Sequence, residues 1–198
     1  MKSLSLSKPH LILMVGIAGA GKTFFAEQFS NTFKAPLVSA AAIATIFGKT
    51  KLPTKIMNAL IDQQMKELFK SRQSFIVDGH ADTKVERLAL MNIARKHDYE
   101  VLIIWVQTEP ATAKQRAIKA AKTEPHRRVG TAEQHEAALK RFAAPHASEK
   151  PIVISGKHTY ATQAKMVLRK LAEPRADISV HTTAPVRSRS TSKHIMIR

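Results

Sequence analysis

Residues 11–23 read Leu-Ile-Leu-Met-Val-Gly-Ile-Ala-Gly-Ala-Gly-Lys-Thr, and this stretch decides the fold. Its first five residues are all apolar, as in a strand that is buried on both faces. Residues 16–23 then match the pattern G-x-x-x-x-G-K-[ST], and a helix-like segment follows. This pattern between a strand and a helix is typical of a phosphate-binding loop. The stretch therefore predicts an α/β domain that binds a nucleoside triphosphate.

The residue types in this loop suit the binding of phosphate. Gly16 and Gly21 lack a Cβ, so the backbone can take positive φ angles and approach an anion closely. The loop N–H groups would point inward at a helix N-terminus, where the helix dipole favours negative charge. Lys22 is predicted to reach the β- and γ-phosphates, and the Thr23 hydroxyl to bind Mg²⁺. The expected nucleotide contacts are Gly16, Ala18, Gly19, Ala20, Gly21, Lys22, Thr23 and Phe24.

Composition limits the class of protein. A length of 198 residues suggests one domain with a full core, and the lack of Cys excludes disulfides and Cys-ligated zinc. The nine His residues contain no H-x-x-x-H pair, so we expect no dedicated zinc site. Residues 1–10 lack a signal-peptide core and no apolar run is long enough to span a membrane, so we expect a cytoplasmic protein without a membrane partner.

The chain is strongly basic, with 32 Lys and Arg against 15 Asp and Glu and a net charge of +17. Such a balance favours polyanionic partners, including nucleic acid, nucleotides and anionic lipid. The charges are spread along the chain rather than clustered, which also fits a solvated basic surface without a specific partner. Both interpretations stay open at this stage.

Apolar runs alternate with helical patterns along residues 1–172. Further strands are predicted at 35–38, 74–78, 101–106 and 151–154. Helices are predicted at 22–33, 53–70, 84–97, 110–121, 132–142 and about 160–171, two of them after capping boxes at Thr83-x-x-Glu86 and Thr131-x-x-Gln134. This alternation predicts a doubly wound, five-stranded, mostly parallel sheet. From residue 173 the periodicity stops, and residues 173–198 are expected to form a flexible basic tail.

The predicted strand at 74–78 ends in an acid, Asp78. In proteins with this phosphate-binding loop, an acid at the end of a neighbouring strand faces Mg²⁺. Asp78 is therefore predicted to bind the metal together with Thr23. A single acid at a strand end is also compatible with a turn or cap residue.

The order of these landmarks resembles the small ATP-binding kinases of the polynucleotide-kinase and zeta-toxin type, often described as AAA-domain kinases. The resemblance covers residues 10–172 and includes the strand ending in Trp105-Val106, a helix with Arg116, a basic loop and Phe142-x-x-Pro145. It implies a three-layer P-loop NTPase fold of the nucleoside-monophosphate-kinase type with a helical lid. It also implies that ATP and Mg²⁺ are bound and that the γ-phosphate passes to a hydroxyl of a small molecule, a nucleotide or a nucleic-acid end.

The resemblance also assigns roles to residues of the lid, here about 110–130. Arg116 matches the family's lid-helix arginine, and Arg127 and Arg128 lie in the following loop. Guanidinium groups suit the charge of a transferring phosphate. The implied catalytic residues are Lys22, Asp78, Arg116 and Arg128, with Arg127 as a further nucleotide contact. Arg87 either binds substrate or faces solvent.

One departure from the family pattern concerns the phosphate acceptor. The family usually has an Asp after the second strand and an Arg three residues later, where this chain has Ala41 and Ala44. Loss of a general base typically costs about 10² to 10⁴ in rate. His80 and Asp82 are the nearest replacements, although both residue types also serve in turns and caps.

Three functions therefore stay open. The first is an ATP-dependent kinase, and the second is an ATP-binding or hydrolysing module, or degenerate kinase, that acts as a switch or interaction protein. The third is a basic nucleic-acid-binding protein, which can coexist with the first. ATP is expected rather than GTP because the chain lacks an N-K-x-D signature for guanine.

Overall fold

The computed structural model describes residues 8–48, 50, 52–124 and 129–172. Within this part of the chain a single sheet contains five strands, all parallel, in the order β2-β3-β1-β4-β5. The strands are β1 His10–Val15, β2 Leu37–Ser39, β3 Phe75–Asp78, β4 Glu100–Gln107 and β5 Ile152–Ser155. The predicted five-stranded parallel sheet is confirmed, whereas the predicted tail lies outside the described residues.

The helices fall at or near their predicted positions, with one addition. They are α1 Lys22–Phe33, α2 Ala40–Ile46, α3 Thr54–Ser71, α4 Lys84–Lys96, α5 Pro110–Thr123, α6 Ala132–Arg141 and α7 Tyr160–Ala172, and a 3₁₀ turn spans Ala147–Glu149. None of the helices in the described ranges has both the length and the apolar character that a bilayer crossing would need.

The central strand β1 contributes side chains to two separate hydrophobic cores, because successive side chains point to opposite faces of the sheet. Leu11, Leu13 and Val15 pack with residues of α2, α3 and α4 on one face. Ile12 and Met14 pack with residues of α1 and α7 on the other face. All five side chains are at most 1% exposed. The sequence of this strand is apolar throughout residues 11–15 because both faces of the sheet are covered by helices. The result is the predicted three-layer architecture.

Helix α2 is an α-helix that the sequence patterns did not predict. Its seven residues bury only Ala40 and Ile43, so it has too little apolar periodicity to stand out. The helix begins because the Ser39 hydroxyl accepts a hydrogen bond from the N–H of Ala42, at 3.3 Å. This helix carries Ala41 and Ala44 to the edge of the sheet where the strands end.

The two predicted capping boxes differ in the structure. At α4 the box is complete, because Thr83 and Glu86 each accept a hydrogen bond from the other's backbone N–H. At α6 the Thr131 hydroxyl accepts from the N–H of Gln134, at 3.2 Å. The Gln134 side chain instead accepts from the N–H of Gly130, at 2.8 Å. The predicted helix start at Thr131 is confirmed. The predicted bond from the Thr131 N–H to the Gln134 side chain is wrong, because that side chain accepts from Gly130 instead.

Candidate active site

A cavity of about 520 Å³ lies at the carboxyl ends of the strands. Its lining includes the loop between β1 and α1, the end of β3, and residues of α2, α5 and α6. In open parallel sheets ligands bind in the crevice at this edge. The fold therefore brings the phosphate-binding loop and the predicted lid to the same cavity.

The phosphate-binding loop packs closely against β4 and α5. A Cβ at Gly16 would lie 2.5 Å from the carbonyl oxygen of Val106 in β4, and one at Gly19 would overlap the carbonyl of Ala113 in α5. Both glycines have φ angles in the region that L residues rarely adopt, at 149° and 82°. The loop can therefore take its shape only with glycine at these two positions.

The loop's two polar side chains lie as predicted at the cavity. Lys22 Nζ donates hydrogen bonds to the carbonyls of Gly16, at 2.5 Å, and Ile17, at 3.1 Å. The Thr23 hydroxyl donates to Asp78 Oδ2 at 2.7 Å, and Asp78 is buried at 3% exposure. Hydroxyl and carboxylate oxygens are ligands that Mg²⁺ accepts, so this pair fits the predicted metal site.

Most other predicted loop contacts also line the cavity. Ala18 and Gly21 do so, and so does the ring of Phe24, which is 58% exposed at the start of α1. Ala20 is fully buried, and its carbonyl accepts a hydrogen bond from the Thr108 hydroxyl at 3.0 Å. Ala20 therefore links the loop to Thr108, which follows β4, and its side chain does not line the cavity.

The arginines of the predicted lid are placed unequally. Arg116 lines the cavity from α5, and its Nη1 donates to the carbonyl of Gly156 after β5, at 3.0 Å. Arg127 and Arg128 lie outside the described residues. Arg141, which the sequence patterns did not indicate, lines the cavity from the end of α6. Its Nη2 lies 3.8 Å from Asp82 Oδ2.

The acceptor side of the cavity has an alanine wall. Ala40, Ala41 and Ala44 line it from α2, so the two alanines that replace the family's Asp and Arg do lie at the site. Among the described lining residues Asp78 and Asp82 are the acids, while His80 is not part of the lining. Of the two predicted replacement bases, Asp82 is therefore the one with access to the cavity.

Arg87 corrects a prediction, because it neither faces solvent nor reaches the cavity lining in the described residues. Its side chain is fully buried and donates through Nε to Glu149 Oε2 at 2.6 Å and through Nη2 to Glu149 Oε1 at 3.1 Å. Its Nη1 also donates to the carbonyl of Ala143 at 2.8 Å. Hydrogen bonding from Arg87 holds the pKa of Glu149 below its ordinary value.

The Arg87–Glu149 pair also supports the acceptor side of the cavity. The N–H of Ala143 donates to the carbonyl of Asp82 at 2.9 Å, and the Ala143 carbonyl accepts from Arg87. Ala143 follows Phe142 and Arg141, which both line the cavity. The buried arginine thus fixes the segment that holds Asp82 and Arg141 near each other.

His135 is a second polar residue that the sequence did not reveal. It lies in α6 at 2% exposure, and its Nε2 is 3.1 Å from the carbonyl oxygen of Ala18 in the phosphate-binding loop. One histidine in a helix pattern carries no signal of a contact 117 positions away in sequence. Only the folded chain brings the two groups together.

Comparisons with known proteins agree with this geometry. A family model described as AAA domain matches residues 11–145. The gluconokinase from Sinorhizobium meliloti 1021 is similar in structure with a TM-score of 0.59 and 16% identity, over 83% of this chain and 92% of that chain. Among functionally curated proteins, none matches this chain in sequence.

Two further solved structures are similar. A sugar kinase from Janibacter sp. HTCC2649 gives a TM-score of 0.56 at 17% identity, over 83% of this chain and 96% of that chain. A protein from Chloroflexus aurantiacus j-10-fl gives a TM-score of 0.64 at 13% identity, over 82% of this chain and 98% of that chain. At these identities the structural matches establish the fold, and they confirm the predicted P-loop kinase architecture.

Proposed function

The chain belongs to the AAA domain family, and from this membership and the cavity we propose that it is an ATP-dependent kinase acting on a hydroxyl group. The observation that carries the proposal is the contact of Thr23 with Asp78 at 2.7 Å, beside the phosphate-binding loop and within a cavity that also contains Asp82. The similar gluconokinase and sugar kinase support a small hydroxyl-bearing acceptor.

The residues at the loop would bind ATP with Mg²⁺. Thr23 and Asp78 would hold Mg²⁺, which when bound neutralises negative charge on the phosphates. Lys22 would exchange its hydrogen bonds to the Gly16 and Ile17 carbonyls for the β- and γ-phosphates. Arg116, Arg127 and Arg128 would add positive charge from the lid, where guanidinium groups stabilise the transferring phosphate.

Asp82 is our candidate for orienting the acceptor hydroxyl. It is the acid of the described cavity lining that does not contact Thr23, and Arg141 lies 3.8 Å from it. A carboxylate within hydrogen-bonding distance of the acceptor can accept its proton during transfer. Phosphoryl transfer depends mainly on positioning and charge stabilisation, so a carboxylate between β3 and α4 can substitute for one on α2.

A second candidate function is favoured by the alanine wall. With Ala41 and Ala44 at the acceptor side, the protein would bind and hydrolyse ATP without phosphorylating an acceptor. It would then act as a nucleotide-dependent switch or interaction protein. The two candidates share the nucleotide site and differ only in what happens at the acceptor side.

The deciding experiment measures ATP binding and γ-phosphate transfer with the same samples. Purified protein would be titrated with Mg²⁺·ATP in a calorimeter and then incubated with labelled ATP and pools of sugars, nucleotides and 5′-hydroxyl oligonucleotides. Lys22→Ala is the test variant, and Lys66→Ala, on the exposed face of α3, is the matched control. A label on an acceptor that is lost only in Lys22→Ala supports the kinase.

The other outcomes are equally informative. ATP binding and hydrolysis without transfer to any pool would favour the switch. An absence of ATP binding by the wild-type protein would contradict both candidate functions.

A further inference from the structure

We propose that His135 is a positioning residue for the phosphate-binding loop. From α6 it holds the Ala18 carbonyl away from the cavity and thereby aims the N–H of Gly19 at the phosphates. This inference rests on the proposed nucleotide site and assigns a role in phosphate binding to a residue of α6, the helix that follows the predicted lid.

The contact has a defined donor and acceptor. A carbonyl oxygen can only accept, so at 3.1 Å the Nε2 of His135 must carry the hydrogen. His135 is buried at 2% exposure, and a buried polar group without its partner is costly. Both the ring and the Ala18 carbonyl are therefore held in this arrangement.

The planarity of the peptide bond transmits this contact to the cavity. In a trans peptide the C=O of Ala18 and the N–H of Gly19 point in opposite directions. Ala18 and Gly19 line the cavity, whereas His135 is not among the described lining residues. A carbonyl that points to His135 therefore leaves the next N–H directed toward the ligand. A flip of this peptide would present a carbonyl oxygen to the phosphates and repel them.

Helices α5 and α6 are both placed to hold the loop in this way. Helix α5 contacts the crest of the loop at Gly19, whose missing Cβ makes room for the Ala113 carbonyl. Helices α5 and α6 are joined by an ion pair between Lys114 and Glu136, at 2.8 Å. The loop crest is thus held by a backbone contact from α5 and a side-chain contact from α6.

Three substitutions separate positioning from simple stabilisation. His135→Leu replaces the ring with an apolar side chain of similar volume and removes the donor, whereas His135→Gln retains an N–H donor. Glu136→Ala, on the same helix as His135, breaks the ion pair to Lys114 of α5 without touching the loop. Calorimetric titration with Mg²⁺·ADP should show an affinity loss of roughly tenfold for His135→Leu, as for one lost hydrogen bond. His135→Gln should recover most of the affinity, and Glu136→Ala should bind like wild type.

A direct readout of the loop uses selective ¹⁵N-glycine labelling, since the chain has seven glycines. In the wild type, adding Mg²⁺·ADP should shift the Gly19 amide resonance strongly. In His135→Leu this shift should be much smaller, while Gly48, which has no neighbour within 4 Å of an added Cβ, serves as a reference in all variants.

The outcomes distinguish the inference from the proposed function. Wild-type protein that binds no ADP would contradict the nucleotide site itself. Wild-type binding with an unchanged affinity and an unchanged Gly19 shift in folded His135→Leu would overturn the role of His135 alone. Equal losses in His135→Leu and Glu136→Ala, without recovery in His135→Gln, would assign His135 to the stability of α6 and also overturn the positioning role.

Discussion

At the scale of single residues, Gly19 and Gly48 share a left-handed backbone but not their surroundings. Their φ angles are 82° and 58°, so alanine at either position costs about 1 to 2 kcal/mol in backbone strain. A Cβ at Gly19 would also overlap the Ala113 carbonyl, whereas one at Gly48 would meet nothing within 4 Å. We therefore expect Gly19→Ala to abolish ADP binding and to lower stability more than Gly48→Ala does. Calorimetric titration and urea unfolding would measure both, and equal effects would contradict this account of the loop.

A second prediction at this scale concerns the alanine wall. Ala41→Asp would place a carboxylate on the acceptor side of the cavity, where a base typically contributes about 10² to 10⁴ in rate. If the kinase proposal is right, this variant should transfer phosphate to its acceptor faster than wild type. Ala42→Asp is the control, because Ala42 is exposed and not among the described lining residues. Labelled phosphate transfer would be measured, and equal rates in both variants would count against the introduced carboxylate acting as a base.

Whether a residue of the site could be predicted from the sequence depends on how far along the chain its partners lie. The position of Gly16 to Thr23 at the cavity was predictable because the whole motif lies within eight consecutive positions between a buried strand and a helix. Asp78 was predictable because a strand end next to β1 must face the loop. His135, Arg141 and Glu149 were not, because their contacts arise only when α6 and the segment after it pack against the rest of the domain. Arg87 was also not predictable as a buried residue, since nothing in the sequence distinguishes a fully buried helical arginine from an exposed one.

At the scale of elements, the pair Arg87–Glu149 joins α4 to the 3₁₀ turn before β5. Arg87→Met would leave Glu149, whose side chain is 6% exposed, without its guanidinium partner. Removal of one member of a buried ion pair typically costs about 3 to 5 kcal/mol. The double variant Arg87→Met with Glu149→Leu should be less destabilised than Arg87→Met alone, as measured by urea unfolding.

A surface pair within α3 provides the control for this prediction. Lys70 and Glu67 lie 2.8 Å apart with side chains 62% and 54% exposed, so Lys70→Met should cost less than about 1 kcal/mol. A cost for Arg87→Met as small as that for Lys70→Met would show that the buried pair contributes little to the fold.

The same pair makes stability depend on pH. Hydrogen bonding from Arg87 lowers the pKa of Glu149 from its ordinary value of 4.5, so the unfolded chain binds this proton more readily than the folded chain. The contribution of Glu149 is therefore complete above pH 4.5 and is lost as the pH falls through the folded-state pKa. Wild type should be more stable than Glu149→Gln at neutral pH, and the difference should shrink in acid. Urea unfolding at several pH values would test this, and a constant difference would refute it.

The elements themselves were largely readable from the sequence because a parallel sheet buries both faces of its strands. The apolar runs at 11–15 in β1 and at 75–77 in β3 follow directly from that burial. Helix α2 was missed because it is seven residues long, is rich in alanine and buries two side chains. Its existence depends on the Ser39 cap and on packing against α3, and neither produces a periodic pattern.

At the scale of the whole molecule, the net charge of +17 is carried mainly by residues 1–172, which hold 27 of the 32 Lys and Arg. If this charge serves nucleic acid, binding should fall steeply with salt, because each phosphate contact releases condensed counterions. We expect the full chain to bind a labelled oligonucleotide at about 50 mM salt and to lose at least about tenfold in affinity by 200 mM. Fluorescence anisotropy would give the slope of log affinity against log salt concentration.

The location of the charge decides how a shortened chain should behave. Residues 173–198 contain five Lys and Arg and two Asp and Glu, so a chain that ends at residue 172 keeps most of the positive charge. It should therefore retain most of the salt slope, with a decrease of at most about five phosphate contacts. A slope that vanishes in the shortened chain would assign polyanion binding to residues 173–198. Affinity that is insensitive to salt in the full chain would instead mean that the basic surface has no such partner.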